Sequence, residues 1–135
     1  MIKYLYIILL LSSCELSDSS AVDRVDRASY FRGKVLYINN CNGCHQQNGK
    51  GIGKLYPPLA KSDFLKHKPK KSIEYIYYGT NDAIIVNGKP FKFQMPDNKH
   101  LSHQDIADIM TYIGNSWSNK FLNTELKTVH EVLKK

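Results

Sequence analysis

Within five consecutive residues, Cys41-Asn42-Gly43-Cys44-His45, the chain places two of its three cysteines and one of its five histidines. No other stretch narrows the possible folds as much. Cysteines three positions apart lie about one helical turn from each other, so both thiols reach the same edge of a shared partner while the adjacent imidazole is directed beneath its centre. Two thiols so placed can add across the two vinyl groups of a haem, and the histidine can ligate its iron. Competing uses of the motif need residues that are missing. A structural zinc site takes four ligands, usually with a second Cys or His pair at short spacing, and the remaining cysteine is Cys14. A thioredoxin-like dithiol expects a strand, helix and strand around it, whereas here the flanks read as helix before and glycine-rich loop after.

At 135 residues and 42% hydrophobic, the chain can hold one small domain, with a core that is marginal on its own. A covalent haem supplies the missing apolar volume. Residues 1–13 read as a secretory signal: Lys3, the apolar run Tyr4–Leu11, then Ser12 and Ser13 before Cys14. The run is eight residues long, and a bilayer span needs about twenty. Residues 14–28 read as a cysteine followed by a polar tether, with no apolar periodicity.

In the folded part, Ser29 is placed to cap a helix from about Tyr30 to Asn40, with Phe31, Val35, Leu36 and Ile38 available to bury. Gly49, Gly51 and Gly53 mark a loop along the haem edge. They lack the strand and the Gly-Lys-Ser/Thr of a phosphate loop. Tyr56-Pro57-Pro58-Leu59 is a rigid segment whose proline carbonyls are free acceptors, suited to hold the second ring nitrogen of an axial histidine, or simply to make a turn. Short helices are predicted over Ser62–His67 and from Lys71 or Ser72 to Tyr78, the second closed by Gly79. Asn87-Gly88 between β-formers predicts a hairpin, and Pro90 limits it to an edge ribbon. Met95 lies alone in a loop, which makes it a ligand candidate, whereas Met110 shares a helical face with Ile106, Ile109, Ile113 and Trp117 and reads as core. Ser102 and Asp105 form a capping-box-like pair at the start of that helix. Residues 118–135 read as a helical tail of lower stability. His67, His103 and His130 lie among polar residues and are expected to be solvated, while His100 leaves a bis-histidine iron open.

With Cys41, Cys44, His45 and Met95 placed, the sequence resembles a class I, mono-haem cytochrome c over about Ala28–Trp117. In that family a glycine, an aromatic and the first haem cysteine recur at four-residue steps, here Gly33, Tyr37 and Cys41. A branched residue and an aromatic on the last helix, here Ile109 and Tyr112, cross the glycine. The Pro-x-Leu at Pro57-Pro58-Leu59 matches as well and points to the Pro57 carbonyl as the partner of His45. The resemblance implies an all-α cytochrome c fold over residues 29–117, small helices around one covalent haem c, with a short β-hairpin before the methionine loop. It further implies His45 and Met95 as axial iron ligands. With both axial positions filled, the implied function is one-electron transfer between respiratory partners and not catalysis. A permanent subunit of an oxidase, nitrite reductase or dehydrogenase complex is the alternative, as is a haem enzyme or sensor with a displaceable Met95. Leu11-Ser12-Ser13-Cys14 resembles the bacterial lipobox, which implies an acylated Cys14 and an exported, periplasmic protein anchored to a membrane. Ordinary signal cleavage with a free Cys14 is the other possibility.

Charge bears on the partner. From Ala28 onward sixteen basic residues face eight acidic ones, and nine of the bases lie between Arg32 and Lys71 with Asp63 as the sole acid there. The excess is thus confined to the part of the chain that builds the histidine side of the haem. A basic surface around a redox edge steers an acidic redox protein, such as a terminal oxidase or reductase. Nucleic acid is not expected for an exported haem protein without a binding motif, and anionic lipid stays open.

Overall fold

Gly33 has no side chain, and that lets the first helix lie directly on the last long one. In the computed structural model, which describes residues 25–120 and 123–134, α1 (Arg27–Asn40) packs on α5 (His103–Gly114). A Cβ at Gly33 would stand 2.9 Å from Tyr112 Cβ and closer still to the Asp108 carbonyl, so only glycine permits the approach. The expected crossing of Gly33 by Tyr112 is present. Between them come α2 (Asn42–His45), α3 (Asp63–His67), α4 (Pro69–Tyr78) and the strands β1 (Ile84–Val86) and β2 (Lys89–Phe91), and α6 (Leu126–Leu133) follows α5. The signal-peptide, Cys14 and most of the tether readings fall outside the described residues.

The close crossing also decides which face of α1 is inside. Its buried residues are Ser29, Gly33 and Tyr37, while Phe31, Val35 and Ile38 are 57%, 59% and 44% exposed. The expectation that those large apolar residues fill the core is therefore wrong. At a crossing this tight only small groups fit, and the stripe at four-residue steps that contains Gly33 prevails over the bulkier one. The helix also starts earlier than expected. Asp26 Oδ1 accepts from the backbone N–H groups of Ala28 and Ser29 at 3.0 and 3.2 Å, so Asp26 is the cap and residues 26–28 are not tether. Ser29 is turned inward, and its hydroxyl donates to Asp108 at 2.7 Å.

Asp108 collects further donors there: Arg32 by two nitrogens at 2.6 and 2.9 Å, and Gln104 at 3.0 Å. Its side chain is 1% exposed. Burial by itself would raise the carboxyl pKa, but the bonds from Arg32, Ser29 and Gln104 outweigh it, and the group is held below its ordinary 3.8.

The remaining elements follow local signals. Ser102 and Asp105 close a reciprocal capping box at α5, and Met110 is buried as expected. Ser62 caps α3. Helix α4 begins at Pro69, ahead of the expected Lys71, because a proline in the first turn gives up no hydrogen bond. The hairpin pairs Ile84 with Phe91 and Val86 with Lys89 around Asn87-Gly88, and Asn87 and Asp63 exchange two bonds of 3.0 and 2.7 Å that pin the turn to α3. Helix α6 contributes Val129, Val132 and Leu133 to the same core and packs on α4 and α5.

The Asp108 cluster gives stability a defined acid dependence. A carboxyl whose folded pKa is depressed contributes fully above the unfolded value and loses that contribution as pH falls through the folded value. Urea unfolding should therefore show wild-type stability falling below the ordinary 3.8. Asp108→Asn should cost about 2 kcal/mol at neutral pH and flatten that acid limb. Identical acid limbs in the two proteins would remove Asp108 as its source.

Candidate haem site

The site begins where α1 stops. Cys41 leaves helical geometry at φ −120° while its N–H still bonds the Tyr37 carbonyl at 2.8 Å, and the single turn of α2 follows, closed by His45 N–H on the Cys41 carbonyl at 3.0 Å. This break brings the Cys41 thiol and the imidazole to one wall of a cleft, with the half-buried Cys44 in the turn between them. The Cys41 thiol is pushed up to about 12 by burial and then by Cys44 beside it, so it is neutral in the folded chain.

His45 is 9% exposed, and its Nδ1 lies 3.0 Å from the Pro57 carbonyl. A carbonyl only accepts, so Nδ1 carries the proton and Nε2 keeps a free lone pair. Burial lowers the pKa of His45, opposed by the Pro57 bond, and the ring stays neutral. The loop between them is held from both sides: the Tyr37 hydroxyl donates to the Gln46 carbonyl at 2.6 Å and Trp117 Nε1 to the Gln47 carbonyl at 3.0 Å. The N–H groups of Leu59 and Ala60 both bond the Gly49 carbonyl.

Met95 lies on the wall of the same cleft, half-buried, and its backbone is clamped. Met95 and Thr80 exchange two backbone bonds of 2.9 Å. Gly79, at φ +70°, makes room for this: a Cβ there would stand 2.6 Å from the Met95 carbonyl oxygen and 2.7 Å from Asp97 N. Buried Asn98 adds a side-chain bond of 3.0 Å to the Ile76 carbonyl. The end of α4 thus carries the methionine loop. In the sequence Gly79 reads only as a helix stop, because the strand-like bridge it supports joins residues fifteen positions apart.

The cleft opens to solvent. Leu65, Ile76, Val86, Ile109 and Ile113 give it an apolar wall. Phe64 and Tyr75, which the sequence reading did not single out, stack at 5.8 Å along its rim, with Lys68 Nζ 5.4 Å over the first ring and Lys71 Nζ 5.0 Å over the second. His100 takes no part: it is exposed, outside the cleft lining, and bonded to Asn40 at 3.1 Å. His67 is exposed as expected. His103 and His130 are not simply solvated, since docking of α6 leaves both half-buried with their Nδ1 atoms 2.8 Å apart. An apolar cleft with a thiol, an imidazole and a thioether on its walls, and a second thiol in the turn beside them, fits a covalently attached haem in donor chemistry.

The chain belongs to the cytochrome c family, whose model matches residues 31–117. It is 32% identical over 91 residues to cytochrome c-552 of Thermus thermophilus, covering 64% of this chain and 69% of that one. It is 30% identical over 88 residues to the cytochrome c subunit of a quinone alcohol dehydrogenase from Gluconobacter oxydans, covering 64% of this chain but 18% of the relative. The chain therefore spans less than a fifth of that subunit's length. Among solved structures it is similar to cytochrome CL of Methylophaga aminisulfidivorans, with 25% identity, a TM-score of 0.46, and 65% of this chain and 53% of that chain covered. The family's cofactor is covalently bound haem c, in keeping with the Cys41 and Cys44 pair.

Proposed function

We propose that this cytochrome carries single electrons between exported respiratory partners, with His45 and Met95 as the axial iron ligands and Cys41 and Cys44 as the covalent anchors. The observation that carries the reading is that Cys41, His45 and Met95 line one cleft, with Cys44 in the single turn between Cys41 and His45, and that both axial candidates are held by backbone bonds. Haem c supplies a one-electron couple at its iron when bound. The chain's own residues do the rest. The Pro57 carbonyl fixes the tautomer and direction of His45 and raises its basicity, while Gly79 and Thr80 keep Met95 in register. Thioether ligation favours the ferrous state and raises the potential compared with two histidines. With both positions occupied, no open site serves a substrate, which favours transfer over catalysis or sensing.

The partner is an acidic redox protein. Lys50 and Lys54 sit on the loop between His45 and Pro57, and Lys68 and Lys71 overhang the rim rings. Lys61 and Lys66 line a separate groove together with Lys120, so the basic surface is wider than the Arg32–Lys71 segment. Relatives named as cytochrome subunits of dehydrogenases support a dehydrogenase as donor, or a permanent place in such a complex as the second reading. We further assign the protein to the periplasmic side of a membrane, anchored through acylated Cys14.

Three experiments test these points. Ferric wild type should show the near-infrared methionine-to-iron band, Met95→Ala should lose it, and Gly79→Ala should weaken it while the haem stays attached. A band that survives Met95→Ala rules Met95 out as ligand. Reversing Lys50, Lys54 and Lys68 to Glu should slow second-order electron transfer by about tenfold at low salt and flatten its salt dependence. Reversing Lys127 and Lys134 should change little, and an equal effect per charge reversed would mean that net charge, not a patch, governs docking. Intact mass of the mature protein should show an acylated Cys14 at its amino terminus, and Cys14→Ser should release soluble cytochrome. A free amino terminus on Cys14, or cleavage elsewhere, would exclude the anchor.

A further inference from the structure

Three large apolar side chains stand exposed on α1. Phe31, Val35 and Ile38 are 57%, 59% and 44% exposed and recur at steps of four and three, so they form one stripe along the helix. The opposite side, with Ser29, Gly33 and Tyr37, is already buried against α5. A helix that is packed on one side and apolar on the other has an outer face made to be covered.

Charge and the path of the chain identify the cover. Arg27 and Lys34 are exposed on one flank of the stripe, Arg32 lies on the other, and α1 contains no acidic residue. Arg32 is engaged by Asp108, whereas Arg27 and Lys34 form no ion pair among the described residues. An apolar stripe with basic flanks is the pattern of a helix that lies in a membrane interface, its apolar face buried about 5–10 Å deep among anionic headgroups. A second copy fits less well: Lys34 is level with the middle of the stripe, so a twofold pairing of two stripes sets like charges together. Val25, where the chain arrives at the helix, lines a shallow groove with Phe31 and Tyr30, so the preceding segment enters beside the stripe. Val25 lies eleven positions after Cys14, at most about 40 Å of chain. A lipid on Cys14 therefore delivers this face to the bilayer, and a weak contact becomes an intramolecular one.

We propose that the outer face of α1, with Phe31, Val35 and Ile38 at its centre and Arg27 and Lys34 at its edge, is a docking surface for anionic lipid that seats the cytochrome on its membrane. The inference rests on the acylation of Cys14. None of the three apolar residues lines the haem cleft, so the lipid contact uses no residue of the electron-transfer centre.

The test uses the full-length, acylated holoprotein in vesicles of phosphatidylglycerol and phosphatidylethanolamine. Haem consumes Cys41 and Cys44 and lipid consumes Cys14, so a spin label attaches only to a cysteine introduced by Val35→Cys or, on α6, by Lys127→Cys. The label at position 35 should be reached by oxygen and be about fivefold less accessible to a water-soluble nickel chelate than the label at 127. Holoprotein carrying Cys14→Ser separates this reading from the anchor, because it has none. In sedimentation it should bind phosphatidylglycerol vesicles and not phosphatidylcholine ones. Changing Phe31, Val35 and Ile38 together to Ser should weaken that binding about tenfold or more with the haem spectrum unchanged. Equal nickel access at both labels on anchored protein, or vesicle binding that ignores the stripe, would overturn the lipid surface and leave the anchor standing. A Cys14→Ser dimer that dissociates when the stripe is changed to Ser would overturn it in favour of a second copy. Absence of the acyl group by intact mass removes the anchor alone, and the sedimentation result then decides.

Discussion

The contact between α1 and α5 at Gly33 is the constraint on which the rest of the structure depends. It brings two backbones closer than any side chain would allow, and it is fastened on one side by Asp108 with its donors Ser29, Arg32 and Gln104. A carboxylate with one side open to Arg32 and several hydrogen bonds avoids the full cost of an isolated buried charge. On the other side Tyr37 and Tyr112 meet at 5.3 Å, and Trp117 joins both. This assembly decides where α1 ends, and so where the Cys41 and Cys44 thiols and the His45 ring stand. Misplacing that end would move every group on the histidine wall together.

The two candidate ligands are held by different means suited to their chemistry. His45 needs a direction and a tautomer, and one acceptor on a proline-stiffened segment supplies both. Met95 has a flexible side chain with no comparable handle, so the chain constrains its backbone instead, through the Thr80 bridge, the Gly79 gap and Asn98. Both supports lie in rigid backbone, not in surface side chains. A site that must keep the same geometry in two oxidation states is served by such supports, because little of it is free to relax.

The charge pattern is tied to packing as well. Lys68 and Lys71 are held over Phe64 and Tyr75 by cation–π contact, and Lys71 also pairs with Glu74 at 3.1 Å. Rings that line the cleft therefore organise charges at its rim. Exposed lysines so fixed contribute little to stability, but they give the surface around the cleft a directed field.

Much of the site was legible in the sequence because its signals are short-range. The Cys41–His45 spacing, the Asn87-Gly88 turn, the Ser102/Asp105 capping box and the Ser62 cap each depend on residues within a few positions, where backbone geometry alone dictates who meets whom. The isolation of Met95 was legible too, as an absence of helical partners. Tertiary structure decided the rest. Nothing local tells Ser29 that Asp108 will claim its hydroxyl and leave the cap to Asp26, or that Phe31, Val35 and Ile38 will face outward because Gly33 must be at the crossing. The Gly79 support of Met95 and the meeting of His103 with His130 join residues that are neighbours only after α4, α5 and α6 have packed. The sequence by itself determined the chemistry of the site and the starts and stops of most elements, since these are fixed by bonds and contacts one turn long. Which faces turn inward, and which polar groups find each other, came from close packing across the chain, where volume and hydrogen-bond satisfaction are settled only by the whole fold.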